Sequence, residues 1–409
     1  MYYFTSITTN YLPKARVLAR TLKKYNKDAF FILALSDNLP ENFDIKKEYF
    51  DDVILTYEMP SIKNPNTFFF RFNIIEACTA VKPAVAIEIM NRYNAEKVCY
   101  LDPDIAVFSR LSEIEELLDK YSMIFTPHTT IPEKENFFIV GNEILFLKRG
   151  TNNLGFFSVK ADEEGKRFLN WWKDRLFTFC FDDDYTLNEL IDEYALSGLF
   201  TDQKWIDLVP SFFDNYKILK HPGYNVSTWN LSNRIVSKDK NNNYIVNGEP
   251  LRFFHFSGVD SGAHESVLKT LNQYYPHTKA INEISEWYMK ICEEEGQNTL
   301  KKQEWKYSKY TNGELVPKEH RKIMLIRRDA HEYFNNPFDV NDGDCFYNWV
   351  MREYGEYLSK KNVKSGSFES VKKNPIKEFF KSILLVFFKQ DSDAYLRIKR
   401  IYRAFFYKV

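Results

Sequence analysis

An α/β fold, a mixed and mostly parallel sheet flanked by helices, is predicted for residues 1–265, with a helical C-terminal extension over residues 266–409. Three observations predict it. The chain opens with a strand, a helix and a second strand, the βαβ unit of a parallel sheet. A later apolar run, Val98-Cys-Tyr-Leu101, passes directly into Asp102-Pro-Asp104, and in such sheets ligands bind at the carboxyl ends of the strands. Around Val259 the style changes, and from Ala280 onward the chain is charged, helical and rich in Tyr and Trp.

Taken in order, Tyr2–Ile7 reads as the first strand. A loop, Thr8-Thr-Asn-Tyr-Leu-Pro13, follows it, and Asn10 and Pro13 are helix-start signals. Ala29–Leu35 is the second strand, ending in Ser36-Asp37, and Asp51–Thr56 the third. Thr5, Ser6, Asp37, Asp102 and Asp104 would then gather along one sheet edge. Gly-x-Gly-x-x-Gly does not follow the first strand, so the dinucleotide fingerprint is absent. Asn73–Tyr93 looks helical, with Pro83 breaking it and leaving Lys82 near a helix end. A lysine there is either a solvated charge or a phosphate partner.

Side chains two apart on an extended segment point the same way, so Asp102 and Asp104 can face one spot, with Pro103 stiffening the chain between them. Mg²⁺ and Mn²⁺ take carboxylate oxygens together with substrate phosphates, although Asp-Pro-Asp is also ordinary turn composition. Leu111–Lys120 is predicted as a helix, Ser122–Thr126 as a strand, and Asn136–Leu147 as a strand or loop. Gly155 inside an apolar run implies a close backbone approach. Ala161–Leu176 is an amphipathic helix. Asp202 and Gln203 interrupt apolar surroundings at an expected helix start, either as a cap or as active-site groups. Tyr224–Leu231 is a lining loop or a packed turn, and Ile235–Leu251 a hairpin. His255, in Phe253-Phe-His-Phe-Ser-Gly258, is either a core histidine or a metal ligand at a strand end.

Composition narrows the classes. Acidic and basic residues balance at 56 each, which gives no global charge for a nucleic-acid partner. Five scattered cysteines without a Cys-x-x-Cys fit buried thiols in a reducing compartment. The opening residues carry no basic and apolar leader, and apolar runs fall well short of the ~18–20 residues of a spanning helix. A cytoplasmic location is expected. The tail, residues 372–409, mixes Phe, Ile and Tyr with Lys and Arg. It either lies on the anionic inner face of a membrane or packs on protein.

In their order and spacing, Thr5–Leu12, Tyr100-Leu-Asp-Pro-Asp104, Asp202-Gln-Lys-Trp205 and His255-Phe-Ser-Gly258 resemble a bacterial glycosyltransferase of the GT-A fold, similar to the family 8 lipopolysaccharide enzymes. The resemblance covers about residues 1–265. It implies a hexosyltransferase that uses a divalent cation, Mn²⁺ or Mg²⁺, and a nucleotide-sugar donor of the UDP type, with a cell-surface glycan or glycolipid as acceptor. It further implies metal ligation by Asp102, Asp104 and His255, and nucleoside contacts from Thr5, Ser6 and Asp37. Lys82 would lie near the phosphates beside Asp102, and Asp202 and Gln203 at the sugar and reaction centre, with retention of configuration. The chain departs from that family after Gly258, where Val259-Asp-Ser-Gly262 replaces a Lys-Pro-Trp run. A nucleotidyltransferase, a non-catalytic membrane assembly protein and a glycosidase are the alternatives. The first lacks its glycine-rich loop here, and the last leaves the metal ligands without a task.

Overall fold

The computed structural model describes residues 1–182, 198–274, 279–341 and 343–366. Its centre is a seven-stranded sheet built from β1 (Tyr2–Ile7), β2 (Phe30–Leu35), β3 (Asp52–Leu55), β4 (Lys97–Leu101), β6 (Met123–Pro127), β7 (Asn152–Lys160) and β8 (Tyr216–Ile218). Their order across the sheet is β3-β2-β1-β4-β7-β6-β8. β1, β2, β3 and β4 pair in parallel, β7 is antiparallel to both β4 and β6, and β6 is parallel to β8. Only β7 therefore runs against the rest, and the mixed, mostly parallel sheet expected from the βαβ opening is present.

α1 (Leu12–Tyr25) covers one face, burying Ala15, Leu18, Ala19 and Leu22 against Tyr3, Phe31 and Leu33. The predicted helix over Asn73–Tyr93 is split into α2 (Ile74–Ala80) and α3 (Lys82–Tyr93), with Pro83 in the first turn of α3. Pro is tolerated there because the first-turn N–H has no helical acceptor anyway. α4 (Glu163–Phe179) starts on an Asp162 cap that accepts from Gly165 N. A separate antiparallel pair joins β5 (Ile105–Val107) to β12 (Phe253–His255). The predicted hairpin is present as β9 (Val236–Lys238) paired with β10 (Tyr244–Val246), and β11 (Glu249–Pro250) pairs with the other edge of β10.

One prediction is corrected. Asn136–Leu147 is neither strand nor loop but helical, running as Asn136–Phe138, a π turn over Ile139–Ile144, and Leu145–Arg149. The run Phe137-Phe-Ile-Val140 is strand-like in composition, yet burial falls on Phe138, Asn142 and Phe146. That spacing of four is a helical face, so tertiary burial overrides local β-propensity.

Met1–Val350 forms one compact unit and a second begins at Met351. The first extends well past residue 265. Trp305 Nε1 donates to Ser36 O at 2.8 Å, and the buried Arg321 guanidinium donates to Phe70 O, Phe72 O and Tyr307 O. Lys322 pairs with Glu76 at 2.6 Å, both side chains almost fully buried. The basic aromatic tail, residues 372–409, lies outside the described residues. No helix among the described residues is long and apolar enough to cross a membrane.

Candidate active site

Two pieces of strand register build the site. At the end of β4, Leu101 faces Phe156 of β7, and Asp102 N donates to Gly155 O at 2.8 Å. The chain then turns, with Ile105 N donating to Asp102 O, and enters β5, where Ile105 faces His255 of β12. Phe256 N closes the end of that ladder on Asp104 O at 2.8 Å. The turn thus presents Asp102 and Asp104 while the antiparallel partner delivers His255 beside them.

His255 Nε2 lies 3.1 Å from Asp104 Oδ1 and 3.6 Å from Asp102 Oδ2. One ligand atom from each of the three residues falls within 4.8 Å of the others. Burial alone would lower the His255 imidazole, but Asp104 and Asp102 outweigh it and the ring is held above its ordinary value. Burial would raise the Asp104 carboxyl, and His255 more than reverses this, leaving it well below the usual carboxylate range. Two hard oxygen donors and one imidazole suit Mn²⁺ or Mg²⁺.

The outer partners agree with that use. His255 Nδ1 is 3.2 Å from Asn225 Oδ1, which assigns the N–H to Nδ1 and leaves the Nε2 lone pair toward the carboxylates when the ring is neutral. Asn225 Nδ2 donates to Thr126 Oγ1 and Asn153 Oδ1, and Asn153 Oδ1 also accepts from Gly155 N. His128 joins from the far side, 3.3 Å from Asn153 Nδ2 and stacked on Phe146. Burial pushes the His128 imidazole down to about 4, so it is neutral at ordinary pH. Trp229 stands edge to face against His255 at 5.2 Å. Gly155 is the close approach its sequence context implies: a Cβ there would lie 2.4 Å from His255 Cε1.

Beside this triad is a buried ion pair. Lys82 Nζ lies 2.9 Å from Asp202 Oδ2 and 3.4 Å from Asp102 Oδ1, and it donates to Leu154 O at 3.0 Å. It also lies over the Tyr100 ring. Burial works to lower the Lys82 ammonium, but Asp102 and Asp202 outweigh it and the group sits above its usual value. Asp202 is raised by its burial, with Lys82 opposing. The solvated-charge reading of Lys82 therefore does not hold. Asp202 makes no side-chain cap to the short helix Lys204–Leu208, which removes the cap reading. Gln203 Oε1 accepts from Leu154 N at 3.3 Å and its Nε2 donates to Arg149 O at 2.9 Å.

No family model matches the chain. It is similar to two Bacillus subtilis (strain 168) proteins described as uncharacterized, YfnF, 29% identical over 187 residues, and YfnD, 26% identical over 184. Each alignment takes in 45% of this chain, and the chain spans about half the length of these curated relatives, 56% and 53%. Among solved structures it is similar to the galactosyltransferase LgtC in complex with donor and acceptor sugar analogs, at 14% identity and TM-score 0.41, covering 72% of this chain and 96% of that one. A glycosyltransferase involved in glycosylation of the major capsid of PBCV-1 is similar at 11% identity and TM-score 0.35, covering 66% and 98%.

Of the residues singled out in the sequence, Asp102, Asp104, His255, Lys82, Asp202 and Gln203 fall at this end of the sheet. Thr5 and Ser6 lie toward the end of β1, where the Ser6 hydroxyl is spent on Cys78 O at 2.7 Å and Thr5 Oγ1 is buried with no partner among the described residues. The Asp37 carboxylate accepts three backbone N–H groups, from Thr9, Asn38 and Lys306. It anchors the 305–307 segment to the loop after β1. Asn225 and Trp229 fall in the Tyr224–Leu231 stretch without being picked out individually, and His128, just past β6, and Asn153, in β7, carry no periodic signal that ties them to His255.

Proposed function

We propose that this chain is a GT-A glycosyltransferase of the family 8 type that transfers a hexose from a UDP-sugar to a hydroxyl of a cell-surface glycan or glycolipid, with retention of configuration. The observation that carries the reading is the convergence of Asp102, Asp104 and His255 at the carboxyl end of a parallel sheet, with the Lys82–Asp202 pair against it. A turn composed only of Asp-Pro-Asp has no reason to meet an imidazole whose other nitrogen is fixed by a buried amide.

The triad would hold a divalent cation, which when bound supplies positive charge to the departing diphosphate. The protein's own groups do the rest. Asn225 fixes the His255 ring so that its Nε2 is the free ligand atom. Lys82 ties Asp202 to Asp102, so the carboxylate assigned to the sugar pocket and those assigned to the diphosphate are one connected unit. Asp202 supplies negative charge toward the oxocarbenium-like centre that develops as the bond from C1 to the phosphate oxygen breaks. Gln203, immobilised between Leu154 N and Arg149 O, shapes the wall behind it. The new C1–O bond forms on the face that the leaving group vacates, and the acceptor proton passes to the leaving phosphate oxygen. On this reading the enzyme works on the cytoplasmic side of the membrane, with residues 372–409 as its contact to the lipid surface.

Incubation with a panel of nucleotide sugars, with Mn²⁺ or Mg²⁺ and with a chelator, tests the proposal. Release of UDP from one donor, abolished by chelator and by Asp104→Ala in a folded variant, is the expected outcome. Absence of cleavage or binding with every donor and both metals would remove it.

A further inference from the structure

Three lysines are buried among the described residues: Lys14, Lys82 and Lys322. Taking an ammonium out of water costs several kcal/mol unless a counter-charge is fixed against it. Lys82 has two carboxylates and a carbonyl, and Lys322 has the equally buried Glu76. Lys14 differs. Its only carboxylate partner among the described residues is Asp260, whose side chain is 45% exposed against 4% for Lys14.

Asp260 is also placed to move. It sits in the turn that follows β12, bounded by Gly258 and Gly262 at φ of 78° and 72°. Beyond the Lys14 contact, the carboxylate accepts from the Tyr11 hydroxyl at 3.2 Å. Both partners open onto a cavity of about 550 Å³ whose wall includes Asn10, Tyr11, Lys14, Asp260, Tyr288 and Lys301. One wall of this cavity leads to the triad: Tyr288 stacks on Phe256 at 3.7 Å, and Phe256 N donates to Asp104 O at 2.8 Å. A desolvated cation beside the triad, facing a cavity and held by an exchangeable anion, is a preformed anion site.

We infer that Lys14 is a second cationic grip for the donor diphosphate, and that Asp260 is its resting counter-ion, displaced when the diphosphate arrives. This rests on the function proposed above. A divalent cation leaves residual negative charge on a bound diphosphate, and a lysine point charge is suited to meet it. Exchanging one anion for another keeps Lys14 paired throughout. The arrangement makes Lys14 and Asp260 opposite in sign of effect, which a purely structural ion pair would not.

The test is calorimetric titration of the full chain with Mn²⁺ alone, with UDP plus Mn²⁺ and with pyrophosphate plus Mn²⁺, in wild type, Lys14→Met, Lys14→Arg and Asp260→Asn, with melting temperatures recorded in parallel. Lys14→Met is expected to weaken UDP and pyrophosphate about tenfold or more, a loss of about 1.4 kcal/mol, while Mn²⁺ alone binds as before. Lys14→Arg keeps most of the affinity, and Asp260→Asn tightens UDP because its competitor is gone. Unchanged UDP affinity in Lys14→Met, or unchanged or weaker affinity in Asp260→Asn, overturns the inference. If Lys14→Met does not fold, the Asp260→Asn result decides alone. Wild type that binds Mn²⁺ but neither UDP nor pyrophosphate removes the donor reading itself, and this inference with it.

Discussion

His255 Nε2 sits 3.1 Å from Asp104 Oδ1, and the contact is produced by strand register, since His255 faces Ile105 directly across the β5–β12 ladder. The two carboxylates favour a proton on the imidazole when no cation is bound. Metal binding at this site should therefore release that proton, and affinity should rise with pH as the ring becomes neutral. Removing a ligand acts more strongly than removing its orienter. Asn225→Gly, which keeps the backbone at φ 53° comfortable, is expected to cost roughly 10–100-fold in Mn²⁺ affinity, and His255→Ala more. Mn²⁺ titration followed by electron paramagnetic resonance reads both. Equal affinity in wild type and His255→Ala would exclude the triad as the metal site.

Gly155 offers a sharper probe of the same geometry. A Cβ at this position would stand 2.4 Å from His255 Cε1, 2.7 Å from Nδ1 and 2.9 Å from Asn153 Oδ1. None of these is the free end of a flexible chain, so Gly155→Ala must push the imidazole off its present line. We expect a loss of metal affinity comparable to His255→Ala, with an overpacking cost of about 1–3 kcal/mol. Chemical denaturation gives the second number. A variant with wild-type metal affinity would mean that the ring position does not matter to the site.

The carriers of this geometry were unevenly legible in the sequence. Pro83 announced a break in the 73–93 helix beside Lys82, the glycine inside an apolar run announced a close approach, and the strand before Asp102 placed the carboxylates at a sheet edge. All are local signals, carried by one backbone constraint or one periodicity. Other features depend on long-range pairing. Asn153 and Asn225 became visible only when β7 and the loop before β12 met, and Asp37 proved saturated by backbone N–H groups, one of them from Lys306. Asn136–Leu147 reads as strand or loop because a contiguous Phe-Phe-Ile-Val run looks the same in a buried helix as in a buried strand.

Lys82 and Asp202 form a buried pair beside Asp102, with side chains 6% and 5% exposed. Lys82→Met keeps the length and apolar stem but leaves Asp202 buried and unpaired beside Asp102. Breaking a buried pair on one side typically costs about 3–5 kcal/mol. Lys82→Met combined with Asp202→Leu should recover much of that loss, since no uncompensated charge is then buried at position 202. Urea denaturation of the two single variants and the double one gives the coupling. Strict additivity would show that the two side chains do not interact energetically.

Acidification should destabilise the fold through its neutral histidines. Burial pushes His128, His264 and His320 down to about 4 each. An unfolded histidine titrates near 6.5, so between these values the unfolded state binds more protons and stability falls as pH falls. Above about pH 6.5 these groups are neutral in both states and contribute no slope. His320 isolates the effect, because its ring packs on Tyr310 and Tyr347 and its Nδ1 pairs with the Tyr310 hydroxyl at 2.6 Å. His320→Gln retains an acceptor but cannot titrate. Its stability loss between pH 6.5 and pH 4.5 should be smaller than that of wild type by up to about 1.4 kcal/mol per pH unit. Urea midpoints and slopes at four pH values measure this, and parallel pH profiles for the two proteins would show that His320 is not held neutral by the fold.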